Sequence, residues 1–476
     1  MSPSRSIPSR RNPMQVNPKE THAWIGVGRR DITPPFGIYG PVWGASRHDG
    51  QSRGTHAPLL VTALSIRAQG EADPALLVGL DLATTGDLAG MEDTWLREEV
   101  SRALELPIDA VLLACSHTHG APWAYRSRMG MPGGDHIEMY LAQVRQAIIE
   151  AGREAIASSV EAVVTFRQGR CDLATNRNLP DPDDASRFLT GFNPMNADRA
   201  DDTLMVGRVC RVDDGHVLAT IVNYACHPTT LGPDNQLVSP DFIGAMRDVV
   251  ETHTGGAPNL FLQGASGDLA PAHQYVADPR VAEQHGARLG HAAVSTLLGM
   301  DPPGTALTYA GVIESGAPLA YWEPRPYDVP SGASRHSTVA GLPAKAWPSV
   351  SELTEQLATE DDPSMQERIR RKLTIATFAD GKPEIPTSVH VWRFGAILFV
   401  GISCEIDVQW QKDLRQAFPD HAVVAMTDVN YSAIGYVVEE DACDLPLYQA
   451  WQPPYAKGSY TKLLATCKEL AFATLS

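Results

Sequence analysis

No uninterrupted apolar run approaches the roughly 18 residues that a membrane-spanning helix needs, so no membrane span is expected. The N-terminal stretch, Met1 to Pro13, carries basic side chains but no apolar segment. It reads as a disordered leader, extending to about residue 22, and not as a secretory signal. Cationic side chains are in deficit: 39 Lys and Arg against 56 Asp and Glu give a net charge of -17. That balance argues against a nucleic-acid partner and against an anionic membrane surface. The seven cysteines are scattered and include no Cys-x-x-Cys pair. Such usage fits reduced, buried thiols in a cytoplasmic protein. The chain also lacks the Gly-x-Ser-x-Gly elbow of α/β serine hydrolases. No internal repeat and no clear linker divides it, so residues 23–476 are expected to form a single domain.

What is present is an alternation of strand and helix signals, with an ordinary hydrophobic fraction of 43%. Strands are expected at 59–66 and 75–80 (paired with each other), 109–115, 161–168, 204–212, 217–225, 259–263 and 422–426. Residues 389–401 read as a hairpin folded at Phe394-Gly395. Helices are expected near 92–104, 137–148, 242–253 (capped by Ser239 or Asp241), 281–298 and 460–472. The class is α/β, a mixed β-sheet core flanked by helices. From about 312 to 350 the chain is rich in Pro, Ser, Gly and Trp and reads as irregular surface structure. Residues 350–380 look helical and charged. Together, about 312–385, they read as an insertion or lid.

His117-Thr118-His119 is the most informative segment. It follows the apolar run 109–115, and extended backbone would point residues i and i+2 to one side. Two imidazoles would then face the crevice beyond a strand's carboxyl end, where open α/β sheets place their active sites. Neutral imidazole is a good zinc ligand, and His-x-His is a common start to a zinc site. Other strand ends carry candidates: 217–225 runs into Cys226-His227-Pro228, the hairpin into Cys404-Glu405, and 422–426 into Thr427-Asp-Val-Asn-Tyr431 and then Tyr436. A His and a Glu from separate strand ends could complete a tetrahedral shell begun by His117 or His119. Taken singly, His227 reads equally well as a turn residue before proline, and Glu405 as a carboxylate paired with Arg or Lys.

Several segments together resemble the neutral/alkaline non-lysosomal ceramidase superfamily, in its catalytic domain. They are Gly26-Val-Gly-Arg-Arg-Asp-Ile-Thr33, Ser116-His-Thr-His-Gly-Ala-Pro122, Asn176-Arg177, Asn223-Tyr-Ala-Cys-His227, Gly264-Ala-Ser-Gly-Asp-Leu-Ala-Pro271 and the stretch from Tyr436 to Tyr448. They occur in the family's order across about residues 24–450. The resemblance implies one Zn2+ held by His117, His227, Glu405 and Tyr436, the last preferred over Tyr431 because Tyr448 follows it at the family's spacing. It implies that His119 lines the site and handles a proton or the substrate carbonyl. Arg177 becomes a substrate or oxyanion contact, Tyr448 a second oxyanion group, and His56 of Gly54-Thr-His56 a support.

This chain departs from the family in two ways. Ala270 stands where the family's Gly-Asp-x-Ser-Pro carries a Ser implicated in catalysis, and alanine has no hydroxyl to give. The chain also ends about 40 residues after Tyr436, so the C-terminal immunoglobulin-like domain of neutral ceramidases is not expected. The chemistry that survives without that Ser is hydrolysis of an amide or ester of a small N-acyl-type substrate by zinc-activated water. Two alternatives stand beside it: a metal-free serine hydrolase using Ser266, and a catalytically silent binding protein on the same fold.

Overall fold

The computed structural model describes residues 14–40, 43–85, 93–379, 381–430 and 434–475, with backbone only at 93–95. Eight strands form the larger sheet: Lys19–Asp31 (β1), Leu60–Arg67 (β2), Ala75–Leu80 (β3), Val111–Cys115 (β4), Val160–Arg170 (β5), Thr203–Arg211 (β6), Val217–Tyr224 (β7) and Asn259–Gln263 (β8). Their spatial order is β8-β7-β6-β5-β1-β2-β3-β4. Neighbours are antiparallel except β3/β4 and β7/β8, which are parallel. A second sheet contains Ala333–Pro343 (β9), Glu384–Phe394 (β10), Ile397–Ile402 (β11) and Ala422–Met426 (β12), in that order, with β11/β12 parallel.

The sheets face each other. Leu64, Leu77, Leu112, Ile221 and Leu262 from one meet Trp392, Phe399, Val424 and Met426 from the other in one apolar core. Helices cover the outer faces. Asp93–Leu104 (α1) and Ile137–Ala157 (α2) lie near one end of the larger sheet, and Phe242–His253 (α3) and Pro279–Leu298 (α4) near the other. Val350–Thr359 (α5) and Pro363–Ala379 (α6) precede β10, and Gln409–Ala417 (α7) follows β11. The short Tyr448–Trp451 (α8) and Ser459–Leu475 (α9) come last. The α/β architecture thus has four layers. β4 reads as a continuous apolar run because both its faces are covered: Leu112 and Ala114 face the inter-sheet core, and Val111, Leu113 and Cys115 face the helices. Gly26 and Gly28 let α2 lie directly on β1. A Cβ there would sit 1.9 Å from Ala155 O or 2.1 Å from Ala151 O.

Three expectations need correction. Leu319–Pro326 is a solvent-exposed edge strand paired with Thr305–Ile313, and β9 pairs along its whole length with β10. Prolines 324 and 326 suggested irregular structure, but an edge strand tolerates them. The expected leader is partly strand: β1 begins at Lys19, and Gln15–Val16 pairs with residues 307–308. Residues 1–13 lie outside the described residues. The strand before His117 starts at Val111, because Pro107 opens a 3-10 turn over Ile108–Ala110. The helical expectation for 350–380 holds as α5 and α6, the first opened by a capping box between Ser349 and Glu352. Among the described residues no helix is long and apolar enough to cross a membrane.

Candidate metal centre

The carboxyl ends of β4, β7, β8, β11 and β12 deliver their loops to one place. After β4, Ser116 N donates to Leu80 O at 2.8 Å and His117 N to Leu82 O at 2.9 Å. His117 then adopts φ +63°. The left-handed turn, and not an extended i, i+2 register, brings the His117 and His119 rings to 5.2 Å. After β7, His227 N donates to Leu269 O at 3.1 Å. After β11, Glu405–Ile406 pairs in parallel with Tyr436–Val437. After β12, Thr427 N donates to Gln263 O at 3.0 Å and Cys115 N to Asp428 O at 3.1 Å, joining the two sheets at this point. Asp428 and Asn430 also have positive φ, 58° and 51°. Such conformations persist only where the surroundings impose them.

One carboxylate oxygen organises the cluster. Glu405 Oε2 lies 3.3 Å from His117 Nε2 and 3.3 Å from His227 Nε2. Four ligands around a tetrahedral zinc, each bonded at about 2.0–2.1 Å, stand about 3.3–3.4 Å apart. Potential ligand atoms of His117, His119 and His227 lie within 4.8 Å of one another. The His227 Nδ1 proton is donated to Ser266 O at 2.9 Å, which leaves a lone pair on Nε2 facing the Glu405 carboxylate. A lone pair opposite an anion is repulsive unless a cation stands between them. Both ring nitrogens of His119 are buried without a hydrogen-bond partner, an arrangement native interiors rarely tolerate. These donors fit a divalent cation.

The field at the site favours positive charge. Burial alone would push His117 down, but the Asp428 and Glu405 carboxylates outweigh it and raise its pKa to about 9. Asp428 Oδ1 stands 3.4 Å from His117 Nδ1. His227 is lowered to about 3 by burial and then by Arg177, and His119 is held well below its ordinary value by burial and by the other two imidazoles. Two neutral imidazoles and one that holds a proton only because two carboxylates surround it form a set in which a metal can replace that proton.

No protein-family model matches the chain, and no curated protein matches it. Two solved structures share its architecture. A neutral ceramidase from Pseudomonas aeruginosa superposes with TM-score 0.69 at 17% identity, over 96% of this chain and 74% of that one. A ceramidase complexed with C2 superposes with TM-score 0.65 at 15% identity, over 96% and 75%. The fold is that of the neutral ceramidases.

On that ceramidase-like fold the remaining expected residues fall into three positions. Tyr436 borders the cluster, its ring 6.3 Å from that of His227, and its hydroxyl is 3.3 Å from Arg177 Nη2. Burial, then Glu405, raises the phenol well above its usual range. Arg177 is buried and directs Nε and Nη2 at Gly267 O (3.0 and 2.7 Å), so it meets the cluster through Tyr436. Tyr448 stands one layer further out, 5.7 Å from Tyr436 ring to ring. His56 is not in the cluster. It contacts Ser239 Oγ at 2.9 Å and Glu283 at 3.1 Å, and Ser239 in turn holds the loop of Thr118 and Gly120.

Ser266 lies behind His227. Its Oγ accepts from Gln263 Nε2 at 2.6 Å and is 3.2 Å from His227 Nδ1, on the ring edge away from Glu405. That nitrogen already donates to the Ser266 carbonyl, so it is not placed as a base for the hydroxyl. Ala270 is fully buried, in a short strand paired with Ala174–Asn176. Tyr431 lies outside the described residues. The sequence reading missed Asp428 and Trp43. Asp428 lies two residues past a strand end already singled out, where only a tyrosine was sought; Trp43, its ring 4.8 Å from that of His119 and tilted against it, carries no pattern signal.

Proposed function

We propose that this chain is a zinc-dependent hydrolase that cleaves a linear amide, or an ester, of an N-acyl-type substrate. The reading is carried by the single oxygen of Glu405 at 3.3 Å from both His117 Nε2 and His227 Nε2. In this reading His117, His227, Glu405 and Tyr436 hold the metal. Bound zinc supplies Lewis-acid chemistry, making water a nucleophile near neutral pH and polarising a carbonyl. His119, neutral and without a hydrogen-bond partner, accepts a proton and returns it to the leaving amine or alkoxide. Arg177 fixes Tyr436 beside the developing oxyanion, and Tyr448 contacts substrate from the outer side. This route needs no hydroxyl at position 270. That both structural neighbours are ceramidases supports an amide as the bond cleaved.

All seven cysteines are free and six are buried, which supports a reducing, cytoplasmic location. The test is metal analysis followed by a hydrolysis screen of N-acyl amino acids, N-acyl amines, lactams, short esters and ceramides, with and without chelator. Stoichiometric zinc and chelator-sensitive turnover are expected, and His117→Ala loses both. Activity retained by metal-free His117→Ala protein refutes the reading. Absence of bound metal together with absence of turnover turns it toward a silent binding protein.

A further inference from the structure

A chain of net charge -17 gathers cationic side chains along one wall of a surface pocket. The pocket, of about 210 Å³ and partly open to solvent, is bounded on one side by Glu367, Arg368, Arg371 and Lys372 of α6 and on the other by Gly44, Tyr448 and Trp451. Arg371 is committed: its Nε donates to Glu367 at 3.2 Å, and its guanidinium lies 4.4 Å from the Trp123 ring. Arg368, which is exposed, and Lys372, which is half-buried, are not. Among the described residues neither has a carboxylate within ion-pair distance, although Glu367 beside them serves Arg128, Arg370 and Arg371. Both instead rest on Trp451, at 4.9 and 5.5 Å from its ring. Two cations four residues apart on a helix repel each other. Burial, then Arg368, lowers the pKa of Lys372.

Two sets of side chains stand between the pocket and the metal centre. Gly44 follows Trp43, whose ring lies 4.8 Å from that of His119. The Tyr448 ring lies 5.7 Å from Tyr436, whose ring is 6.3 Å from His227. A substrate that joins the His cluster to the cationic wall must therefore span the Tyr436 and Tyr448 rings.

We propose that Arg368 and Lys372 bind an anionic group of the substrate, a carboxylate, so that the site selects anionic N-acyl compounds such as N-acyl amino acids over neutral amides. A guanidinium fork and an ammonium converging over an indole suit a planar carboxylate. The inference rests on the hydrolase reading only for the fate of the bound molecule; the binding is independent of it.

Calorimetry on the full chain, with chelator present so that nothing is cleaved, tests it with two probes that differ in charge alone, N-octanoylglycine and N-octanoylglycinamide. The anionic probe is expected to bind at least about tenfold more tightly. In Arg368→Gln/Lys372→Gln the preference collapses toward one, and the single Lys372→Gln variant shows an intermediate loss. Equal binding of the two probes by the wild type, or a variant that weakens both equally, overturns the proposal. So does inorganic phosphate that binds while the amide gains nothing from its carboxylate. Turnover of the same pair without chelator separates the two readings. Preference without turnover supports this site and refutes the hydrolase; turnover without preference does the reverse.

Discussion

Asp428→Asn is the most discriminating substitution at the cluster, because it changes one charge and almost no shape. Thr427 Oγ1 donates to Asp428 Oδ2 at 2.8 Å, and an amide oxygen can accept that bond. What disappears is the anion 3.4 Å from His117 Nδ1. Carboxylates that sit behind a metal-bound imidazole are typically worth 10–100-fold in metal affinity, about 1.4–2.7 kcal/mol. The same carboxylate also strengthens the competing proton. With the His117 pKa at about 9, metal binding at pH 7 must displace a proton, at a cost of roughly two powers of ten in apparent affinity. Removing Asp428 lowers that pKa and relieves part of the competition. The two effects oppose each other at pH 7, and only the loss of ligand strength remains at pH 9. The wild-type to variant affinity ratio for Zn2+, measured by competition with a chromophoric chelator, should therefore grow between pH 7 and 9 and reach about 10–100 at the upper end. A ratio that stays at one across this range would refute the place given to Asp428, and a ratio that shrinks would reverse its sign.

Ser266→Ala is expected to keep bound metal and to retain activity within about tenfold, because His227 is oriented by the Ser266 carbonyl, which the substitution leaves in place. Loss of turnover by several orders of magnitude with metal retained would restore the serine-hydrolase alternative. His390, buried with its ring nitrogens at Ser337 Oγ and Asn430 Nδ2, is lowered by burial to about 3. The unfolded chain then binds a proton that the folded one refuses, so stability is complete above about pH 6.5 and is lost as pH falls toward 3. Urea unfolding should show about 2 kcal/mol lost between pH 6.5 and 5 that His390→Gln does not lose; parallel pH curves for the two proteins would refute the assignment.

The sheet interiors were legible because strands such as β4 and β12 are apolar without interruption, and only burial on both faces sustains that. The hairpin at Phe394-Gly395 was legible because Gly395 takes φ +54° between two β-rich runs. Pattern could not show that Leu319–Pro326 is a strand, since all but one of its residues are solvent-exposed and no alternation is imposed on them. His117, His227 and Glu405 were candidates because each follows a strand or the turn after it, Tyr436 was chosen through the ceramidase resemblance, and the structure gathers those ends. The mechanism first assigned to the His pair was incomplete, because a residue at φ +63° does not obey strand periodicity. Asp428 stayed hidden because a single aspartate in a loop looks like any turn residue until the second sheet is docked on the first.

The cationic wall makes a further, separable demand. Residues that hold a fold destabilise it when removed, whereas residues kept for a ligand can be removed from the free protein at little cost. Lys372→Met gives up a contact with Trp451 of the cation–π kind, worth about 0.5–1 kcal/mol, but it also removes repulsion from Arg368. Trp347 Nε1 donates to the Lys372 carbonyl and is untouched. The free variant should therefore unfold within about 1 kcal/mol of wild type. With N-octanoylglycine at a hundred times its Kd, the wild type gains about 2.7 kcal/mol from mass action alone, and the variant, its Kd raised about threefold, gains only about 2.1 kcal/mol at the same concentration. Thermal unfolding with and without the probe reads both quantities in one experiment. A variant that loses several kcal/mol without ligand, yet keeps the full shift with it, would make Lys372 a structural residue and leave the wall without a ligand.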